Sequence, residues 1–379
     1  MKWSRIARLW IVPAALAVAG YMLAAPIAQA QEAPALAAIK DAKEKARVSA
    51  LIEASKKEGQ LSWIGVQIEP GHANAILTEF KRYYGLNDVN VEYTYASTGA
   101  IVTRVEQLLK AKRNNFDIVW NASWAWYKDL LKRGEIMKYE SPSYAGYTLS
   151  DQHGMSEKGY WVADAYAFAP VYNTKAIEAQ GIKDFHPTSW NDFIDPRLAG
   201  KIALINVLIS TSAAPVLDGV AKVMGDDWLK ALGKLKPTLH SKAAQGRDWV
   251  GSGEFSVAIF NSPKDALSLQ QRHLPTKQVF PKEGVVLIPF PAIIMTSAPH
   301  PATSKLFIDF VRSAHGTQAM MDAGALLFFG RPGVKPKYPD LLPAAENVKA
   351  IPFDWDKDAT NDKIKAFRAK VTSYGIGSK

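Results

Sequence analysis

Alternating apolar and polar residues predict a strand over residues 89–95, in the first half of the chain. Apolar residues then recur at helical spacing over residues 101–109, which predicts a helix that begins close to Gly99. A short apolar run over residues 116–120 predicts a second strand, covered by other residues on both faces. A strand, a helix and a strand in this order form the repeating unit of an α/β fold.

The residues before this unit extend the same pattern. One surface helix is predicted over residues 37–58, and Gly59 is a suitable residue to end it. A strand over residues 61–66 follows, and its exit loop leads into another helix with an apolar face. Three strand–loop–helix units are therefore expected to meet at one edge of a sheet.

The second half of the chain predicts a second sheet. Apolar runs over residues 201–207 and 255–260 are typical of buried strands. Residues 160–174 mix aromatic and small side chains, as expected of a strand that leaves one sheet and joins another, and residues 284–291 predict the return crossing. Because single cores usually split beyond about 300 residues, two lobes are expected.

Small polar residues follow the predicted strands of the first half. In an open α/β sheet, ligands bind outside the carboxyl ends of the strands. A helix that begins after Gly99 would direct unpaired backbone N–H groups and a partial positive charge to this edge, so we predict an anion-accepting cleft. Ser and Thr also serve as ordinary helix caps, and Trp is often a core residue, so these alternatives stay open. The candidate ligand contacts here are Trp63, Ser97, Thr98, Gly99, Trp120, Asn121 and Ser123.

The N-terminus has the pattern of a cleavable signal peptide. Basic residues precede an apolar stretch over residues 9–25, and Ala28-Gln29-Ala30 has the small residues that signal peptidase recognises. A membrane anchor is the alternative, but the apolar stretch is short and contains Pro13. We therefore expect a protein exported to the periplasm.

Charge and cysteine content exclude several classes of site. The formal net charge is +10, but the Lys and Arg residues are spread along amphipathic helices rather than clustered with aromatic residues. This distribution argues against a nucleic-acid partner. The chain has no cysteine, so disulfides and thiolate metal sites are excluded.

Three motifs in the second half carry a resemblance to a known family. They are Tyr-Asn-Thr at residues 172–174, PTSWNDFIDPRLAGKI at residues 187–202 and GSGEFSVAI at residues 251–259. In order and spacing they resemble the periplasmic substrate-binding proteins of ABC transporters, in the ferric-binding-like group of extracellular solute-binding proteins. The resemblance covers roughly residues 51–332, and no single motif in it is catalytic.

The resemblance implies a two-lobed α/β fold of the type 2 periplasmic-binding-protein class. Each lobe would be a mostly parallel sheet flanked by helices, and two hinge strands would join the lobes. The expected segments are a signal peptide (1–30), lobe 1 (31–165 and 285–345), lobe 2 (166–284) and a C-terminal tail with a helix (346–379). The implied protein is a monomeric receptor, not an enzyme, that needs no cofactor and delivers a small-molecule ligand to a permease in the inner membrane.

This picture adds candidate ligand contacts from the hinge and the second lobe. The hydroxyls of residues 210–212 would face Ser97 and Thr98 across the cleft. Arg247 is suited to clamp a phosphate or carboxylate, or else pairs with Asp248 or Glu254 on the surface. The candidates are Tyr166, Ser210, Thr211, Ser212, Arg247 and Asn261.

The residue types in the cleft favour an organic anion as the ligand. Iron-binding members of the group use tyrosine phenolates, since ferric iron prefers anionic oxygen ligands. Residues 260–264 contain no tyrosine, and the pair Tyr83-Tyr84 lies at the end of a predicted helix. We therefore expect a phosphorylated or carboxylated ligand and no bound metal, with a ferric iron receptor as the alternative. A polyamine would require more carboxylates than Glu69 and Asp164 provide.

An exported enzyme with an unrecognised active site is the rival class. The sequence has no G-x-S-x-G elbow, no H-E-x-x-H motif and no P-loop. The acidic residues Asp354, Asp356 and Asp358 imitate a calcium loop, but Ala359 stands where such a loop needs glycine. We interpret these residues as a helix cap.

Overall fold

A computed structural model describes residues 32–377 of the chain. The predicted signal peptide, residues 1–30, lies outside the described residues. Within these residues, eleven strands form two separate sheets, and fifteen α-helices surround them. None of the helices in the described part of the chain is long and apolar enough to cross a bilayer.

The strands and helices have the following bounds. The strands are β1 (Gln60–Gly65), β2 (Asn90–Tyr95), β3 (Ile118–Trp120), β4 (Ser156–Glu157), β5 (Trp161–Ala167), β6 (Ala169–Asn173), β7 (Ile202–Ile205), β8 (Thr238–His240), β9 (Val257–Asn261), β10 (Thr276–Gln278) and β11 (Leu287–Ile294). The helices are α1 (Pro34–Ala38), α2 (Ala42–Glu58), α3 (Pro70–Tyr84), α4 (Thr98–Lys110), α5 (Trp124–Lys132), α6 (Thr148–Gln152), α7 (Thr174–Ala179), α8 (Ala213–Met224), α9 (Asp226–Lys234), α10 (Ala243–Ser252), α11 (Pro263–Gln271), α12 (Pro301–Arg312), α13 (Ala314–Ala323), α14 (Trp355–Asp358) and α15 (Asn361–Ser373).

Each sheet is the centre of one lobe. The six-stranded sheet has the order β2-β1-β3-β11-β5-β4, and we call it and its helices lobe 1. The five-stranded sheet has the order β10-β6-β9-β7-β8, and we call it and its helices lobe 2. The chain passes from lobe 1 to lobe 2 between β5 and β6, at Phe168, and returns between β10 and β11. The predicted two-lobed α/β fold is confirmed.

The sheets are mixed rather than mostly parallel, which corrects one detail of the prediction. In lobe 1, β1 runs parallel to β2 and β3, whereas β11 is antiparallel to both β3 and β5. In lobe 2, β7 runs parallel to β8 and β9, whereas β6 is antiparallel to β9 and β10. The reason is the crossing: β6 and β11 each enter from the other lobe, so they run opposite to the strands that end at the cleft.

Local capping explains where the helices begin and end. The single helix predicted over residues 37–58 is instead two helices, because the Asp41 carboxylate accepts a 2.7 Å hydrogen bond from the Glu44 amide and starts α2 there. Gly59 ends α2 as predicted, with a φ of 68° that favours glycine. Near the C-terminus, the carboxylate of Asp354 caps α14 as predicted, by accepting from two backbone amides.

A buried ion pair lies against the crossing strand β5 in lobe 1. Asp164 accepts a hydrogen bond from Arg312, and both side chains are inaccessible to solvent. The guanidinium lies over the rings of Trp120 and Tyr147, 5.0 and 5.2 Å from their centroids. Burial raises the pKa of Asp164, and the charge of Arg312 opposes that rise. This carboxylate is therefore part of a buried ion pair in the core of lobe 1 and is not exposed to a ligand.

Candidate ligand-binding cleft

We take the candidate cleft to be the space between the two sheets. The directions of pairing place the carboxyl ends of β1, β2 and β3 of lobe 1 toward the crossing segments, and those of β7, β8 and β9 of lobe 2 likewise. Most loops that carry the predicted ligand contacts follow these strands. This is the edge at which open α/β sheets bind ligands.

Tyr166 links the two sides of this cleft. It lies on the crossing strand β5 and is only 4% exposed. The side chains of Gln67, in the loop after β1, and Ser212, in the loop before α8, lie near its hydroxyl and act to lower its pKa. Burial raises the pKa of Tyr166, so the phenol remains neutral at physiological pH. Tyr166 and Ser212, both predicted as ligand contacts, thus lie together.

An ion pair joins the lobes directly. The Lys264 ammonium, in the first turn of α11, lies 2.9 Å from the Glu69 carboxylate of lobe 1. It also donates a 3.1 Å hydrogen bond to the hydroxyl of Tyr95, at the end of β2. Burial lowers the pKa of Lys264, but these two partners outweigh that effect and raise the pKa overall, so the ammonium keeps its charge.

This ion pair was missed from the sequence. Lys264 follows Ser262 and Pro263, which begin α11 after a buried strand, and that position was the signal available for it. Glu69 was considered only as a carboxylate for a polyamine. In the structure it is already paired with a cation.

In the loop between β7 and α8, one serine caps the helix and another does not. The Ser210 hydroxyl accepts a 3.1 Å hydrogen bond from the Ala213 amide and so caps α8. Ser212 occupies the last position before the helix and makes no capping bond, and its side chain lies near the hydroxyl of Tyr166. Thr211, between them, is exposed. Of the three predicted hydroxyls, Ser212 is the one placed between the lobes.

On lobe 1, the hydroxyl of Ser97 is the cap of α4. It accepts a 3.4 Å hydrogen bond from the Ala100 amide. Thr98 follows in the first turn and is half-buried, while Gly99 is exposed. The helix begins where predicted, and its N-terminal amides face the edge at which β2 ends.

Asn121 contributes an unpartnered amide at the end of β3. Its side-chain oxygen accepts a 2.7 Å hydrogen bond from the amide of Ser123, which is half-buried. The side-chain nitrogen is buried and has no hydrogen-bond partner among residues 32–377. A donor of this kind is costly to leave unsatisfied, so it is suited to a ligand oxygen or a bound water.

Trp63 and Trp120 do not reach the cleft, which corrects their prediction as ligand contacts. Both are fully buried in the core of lobe 1. The ring centroids of Trp63 and Tyr93 are 4.2 Å apart. Trp120 stacks on Phe290, with 5.6 Å between their ring centroids. The Trp120 indole nitrogen donates to the Phe290 carbonyl at 2.9 Å. Large aromatic side chains at the ends of central strands here fill the space under the helices.

Arg247 and Asn261 lie on the lobe 2 side. Arg247 pairs with Asp248 at 3.2 Å, which is the surface ion pair given above as one alternative. Its guanidinium also lies 3.9 Å from the buried carboxylate of Asp265. Asn261 is buried at the end of β9, and its amide nitrogen is turned back to the carbonyl of Ala258 at 3.5 Å. Arg247 is therefore the more available of the two to a ligand.

His240, at the end of β8, was not predicted as a site residue. Its Nδ1 donates to the Lys242 carbonyl at 3.0 Å, so the neutral ring leaves Nε2 as an acceptor. Nε2 is buried without a hydrogen-bond partner in the described part of the chain. Gly246 lies so close that a Cβ there would come within 2.3 Å of Nε2. A lone histidine in the sequence gave no signal for this packing.

No group of three or more His, Cys, Asp or Glu residues within residues 32–377 is arranged to hold a metal ion. Tyr83 stacks on His315 at 4.3 Å and Tyr84 is buried. This pair is part of the lobe 1 packing, as interpreted from the sequence.

Comparisons with known proteins agree with this geometry. Residues 72–325 match the family model for bacterial extracellular solute-binding proteins. Among curated protein sequences, none matches the chain significantly.

Several solved structures share the fold. The periplasmic binding protein AfuA from Actinobacillus pleuropneumoniae, with fructose-6-phosphate bound, is 20% identical with a TM-score of 0.67, over 83% of this chain and 98% of AfuA. Iron-bound HitA from Pseudomonas aeruginosa is 18% identical with a TM-score of 0.61, over 84% of this chain and 99% of HitA. An ABC-transporter substrate-binding protein from Agrobacterium tumefaciens is 16% identical with a TM-score of 0.67, over 90% and 97% of the two chains. At these identities the likeness concerns the fold.

Proposed function

This chain belongs to the bacterial extracellular solute-binding proteins, and from that premise we propose that it captures a small organic anion between its lobes. It is a solute-binding receptor of an ABC transporter rather than an enzyme, and its family implies a periplasmic location and a permease partner. We also propose that residues 1–30 are removed as a signal peptide, and that the receptor acts as a monomer without a nucleic-acid partner.

One observation carries the choice of an anion: the cations of the cleft are on lobe 2, and the carboxylates beside them already have partners. Lys264, on α11, keeps its charge beside Glu69. Arg247 is on the preceding helix, α10. Asp265 accepts a 2.7 Å hydrogen bond from Ser262 at the start of α11. A cationic ligand would have to compete with Lys264 and Arg247 for these carboxylates, whereas a ligand phosphate or carboxylate could take the place of Glu69 or Asp248 beside either cation.

Neutral donors would complete the binding site. The N-termini of α4 and α8 favour negative charge, by roughly 0.3–1 kcal/mol each when exposed. The Ser212 hydroxyl and the free amide of Asn121 supply hydrogen-bond donors from opposite lobes. Micromolar affinity corresponds to about 8 kcal/mol, so the anionic group and the remainder of the ligand must both be held.

Closure of the lobes is the proposed mechanism. Lys264 of lobe 2 lies 2.9 Å from Glu69 of lobe 1, so separation of the lobes would break this ion pair. A ligand that bonds to both lobes would favour the closed form by its differential affinity for that form. The permease would then recognise the closed receptor.

A thermal-shift screen tests the proposal. The protein, stripped of co-purified ligand, is measured with fructose 6-phosphate, inorganic phosphate, succinate, ferric citrate and spermidine. A ligand at about one hundred times its dissociation constant adds about 2.7 kcal/mol of stability, which raises the melting temperature measurably. A shift with a phosphate or carboxylate is expected.

The other outcomes of the screen have distinct meanings. A shift with the ferric complex and not with citrate alone would replace the organic anion by iron, the ion bound in HitA. A shift with spermidine alone would contradict the anion proposal. Each positive result is repeated by calorimetry to obtain the affinity.

A further inference from the structure

The C-terminal strap, which we define as residues 350–377, contacts both lobes. It follows the part of the chain that matches the family model, which ends at residue 325. It contains the short helix α14 and the longer helix α15. The strap pairs with the return crossing through a bridge between Ala350 and Val285.

A polar clamp holds the strap to lobe 1. The Asp356 carboxylate accepts a 2.7 Å hydrogen bond from the Trp124 indole and lies 3.2 Å from the Lys128 ammonium, both on α5. The neighbouring Trp355 indole donates to the carbonyl of Leu287, at the start of β11, at 3.0 Å. These contacts attach the strap to a lobe 1 helix and to the hinge.

A larger, partly apolar anchor holds the strap to lobe 2. Asp358, two residues beyond the clamp, lies 3.1 Å from Lys222 on α8. Helix α15 packs against α8 and α9 and buries Phe367 and Val371. The strap should therefore move with lobe 2, and the polar clamp on lobe 1 should be the first of its contacts to break.

Arg368, on α15, reaches the loop that carries Ser212. Its Nε donates to the Val207 carbonyl at 3.1 Å, and a terminal nitrogen donates to the Ser210 carbonyl at 3.0 Å. These carbonyls flank the turn in which the Ser210 amide donates to the Asn206 carbonyl at 2.9 Å. One guanidinium thus fixes both ends of the turn that precedes α8.

We propose that the C-terminal strap is a third connection between the lobes, and that Arg368 is the positioning residue for the Ser212 loop. The part concerning ligand rests on the proposed function, because it requires Ser212 to contact the bound anion. The part concerning the strap rests on the contacts alone. The strap therefore couples the relative position of the lobes to the shape of the loop.

Hydrogen exchange tests the positioning role in the full-length protein without ligand. Arg368→Met removes the two bonds to the loop, while Lys365→Met removes the same charge from an exposed position on the same helix. We expect the amides of residues 208–212 to exchange at least about tenfold faster in Arg368→Met than in Lys365→Met. Equal exchange in the two variants would overturn the positioning role.

Interlobe distances test the third connection. The chain has no native cysteine, so spin labels can be placed at Asn74→Cys on α3 and Glu178→Cys on α7, both exposed. Asp356→Asn weakens the clamp, and Asp362→Asn on the same strap is the matched control. We expect a broader distance distribution with Asp356→Asn only. An unchanged distribution would contradict a mechanical role for the strap.

The two proposals can fail separately. A silent ligand screen would count against the anion receptor, while faster loop exchange in Arg368→Met would still support its positioning role and a broader distance distribution in Asp356→Asn would still support the strap. A ligand-dependent melting shift together with unchanged exchange and distances would support the receptor and refute the strap. Where a ligand is found, Arg368→Met should also weaken its binding, while Lys365→Met should leave its affinity unchanged.

Discussion

The two edges of the cleft are built from the same kinds of residue but use them differently. On lobe 1, Ser97 caps α4, and the aromatic residues Trp63 and Trp120 fill the core. On lobe 2, Ser210 caps α8 and leaves Ser212 for the cleft, and the cations Arg247 and Lys264 are nearby. A hydroxyl before a helix is therefore informative only when another residue does the capping.

The largest expected effect tests the structural role of the lobe 1 aromatics. Trp120→Ala removes a fully buried ring that stacks on Phe290, and should reduce the free energy of unfolding by about 3–5 kcal/mol. Chemical denaturation monitored by circular dichroism gives this value. In contrast, Trp120→Phe should cost less, since a ring remains.

The outcome that would contradict this interpretation is also clear. If Trp120→Phe folds with wild-type stability but loses ligand binding, Trp120 contacts the ligand in a form of the cleft more open than this one. If Trp120→Ala lowers both affinity and stability, and Trp120→Phe restores both, the role of Trp120 is packing.

The second prediction compares two serines in one loop. Ser212→Ala should weaken anion binding by at least about tenfold, because a hydrogen bond to a charged group contributes about 1.5–3 kcal/mol. Ser210→Ala should instead cost about 1 kcal/mol of folding stability, as loss of a helix cap does, with a smaller change in affinity. Calorimetric titration and denaturation of both variants separate the two roles. Equal losses of affinity would remove the distinction between the serines.

How much of this arrangement the sequence predicts depends on the range of the interactions. The starts of α4 and β3, the crossing at Phe168 and the end of α2 at Gly59 follow from local periodicity and capping, and were predicted within a few residues. The choice between Ser210 and Ser212 depends on the geometry of one turn, which periodicity does not describe.

The interlobe contacts were beyond sequence reasoning for a different reason. Lys264 and Glu69 are almost two hundred residues apart, and they meet because the two crossings bring α11 beside the loop after β1. The burial of Trp63 and Trp120 likewise depends on α12 covering the sheet, where Phe307 lies 5.3 Å from Trp63. Such pairs depend on the tertiary fold.

The third prediction concerns this interlobe pair. Glu69→Gln removes the carboxylate that pairs with Lys264, so an anionic ligand should bind about threefold more tightly at low salt, an effect in the range of a partly exposed ion pair. Glu92→Gln, an exposed change on lobe 1, is the control for net charge. Titrations at two salt concentrations are compared. Weaker binding in Glu69→Gln would contradict this prediction and would indicate that Glu69 supports the ligand-bound form, either by joining the lobes or by contacting the ligand.

The smallest expected effect is a pH dependence from His240 on lobe 2. Burial lowers the pKa of His240 in the folded protein below its value of about 6.5 in the unfolded chain, while the hydrogen bond to the Lys242 carbonyl and the negative charge of Asp265 oppose this shift. The unfolded state therefore binds more protons below neutral pH, and this contribution to stability is present above pH 6.5 and is lost as the pH falls through the folded-state pKa.

Wild type should lose more stability than His240→Asn between pH 7 and 5, by less than about 1 kcal/mol. The comparison uses the difference between the two proteins, since burial also lowers the pKa values of His72 and His153 on lobe 1. Parallel pH profiles would show that His240 titrates as in the unfolded chain, and the unpartnered Nε2 would then be accessible to water.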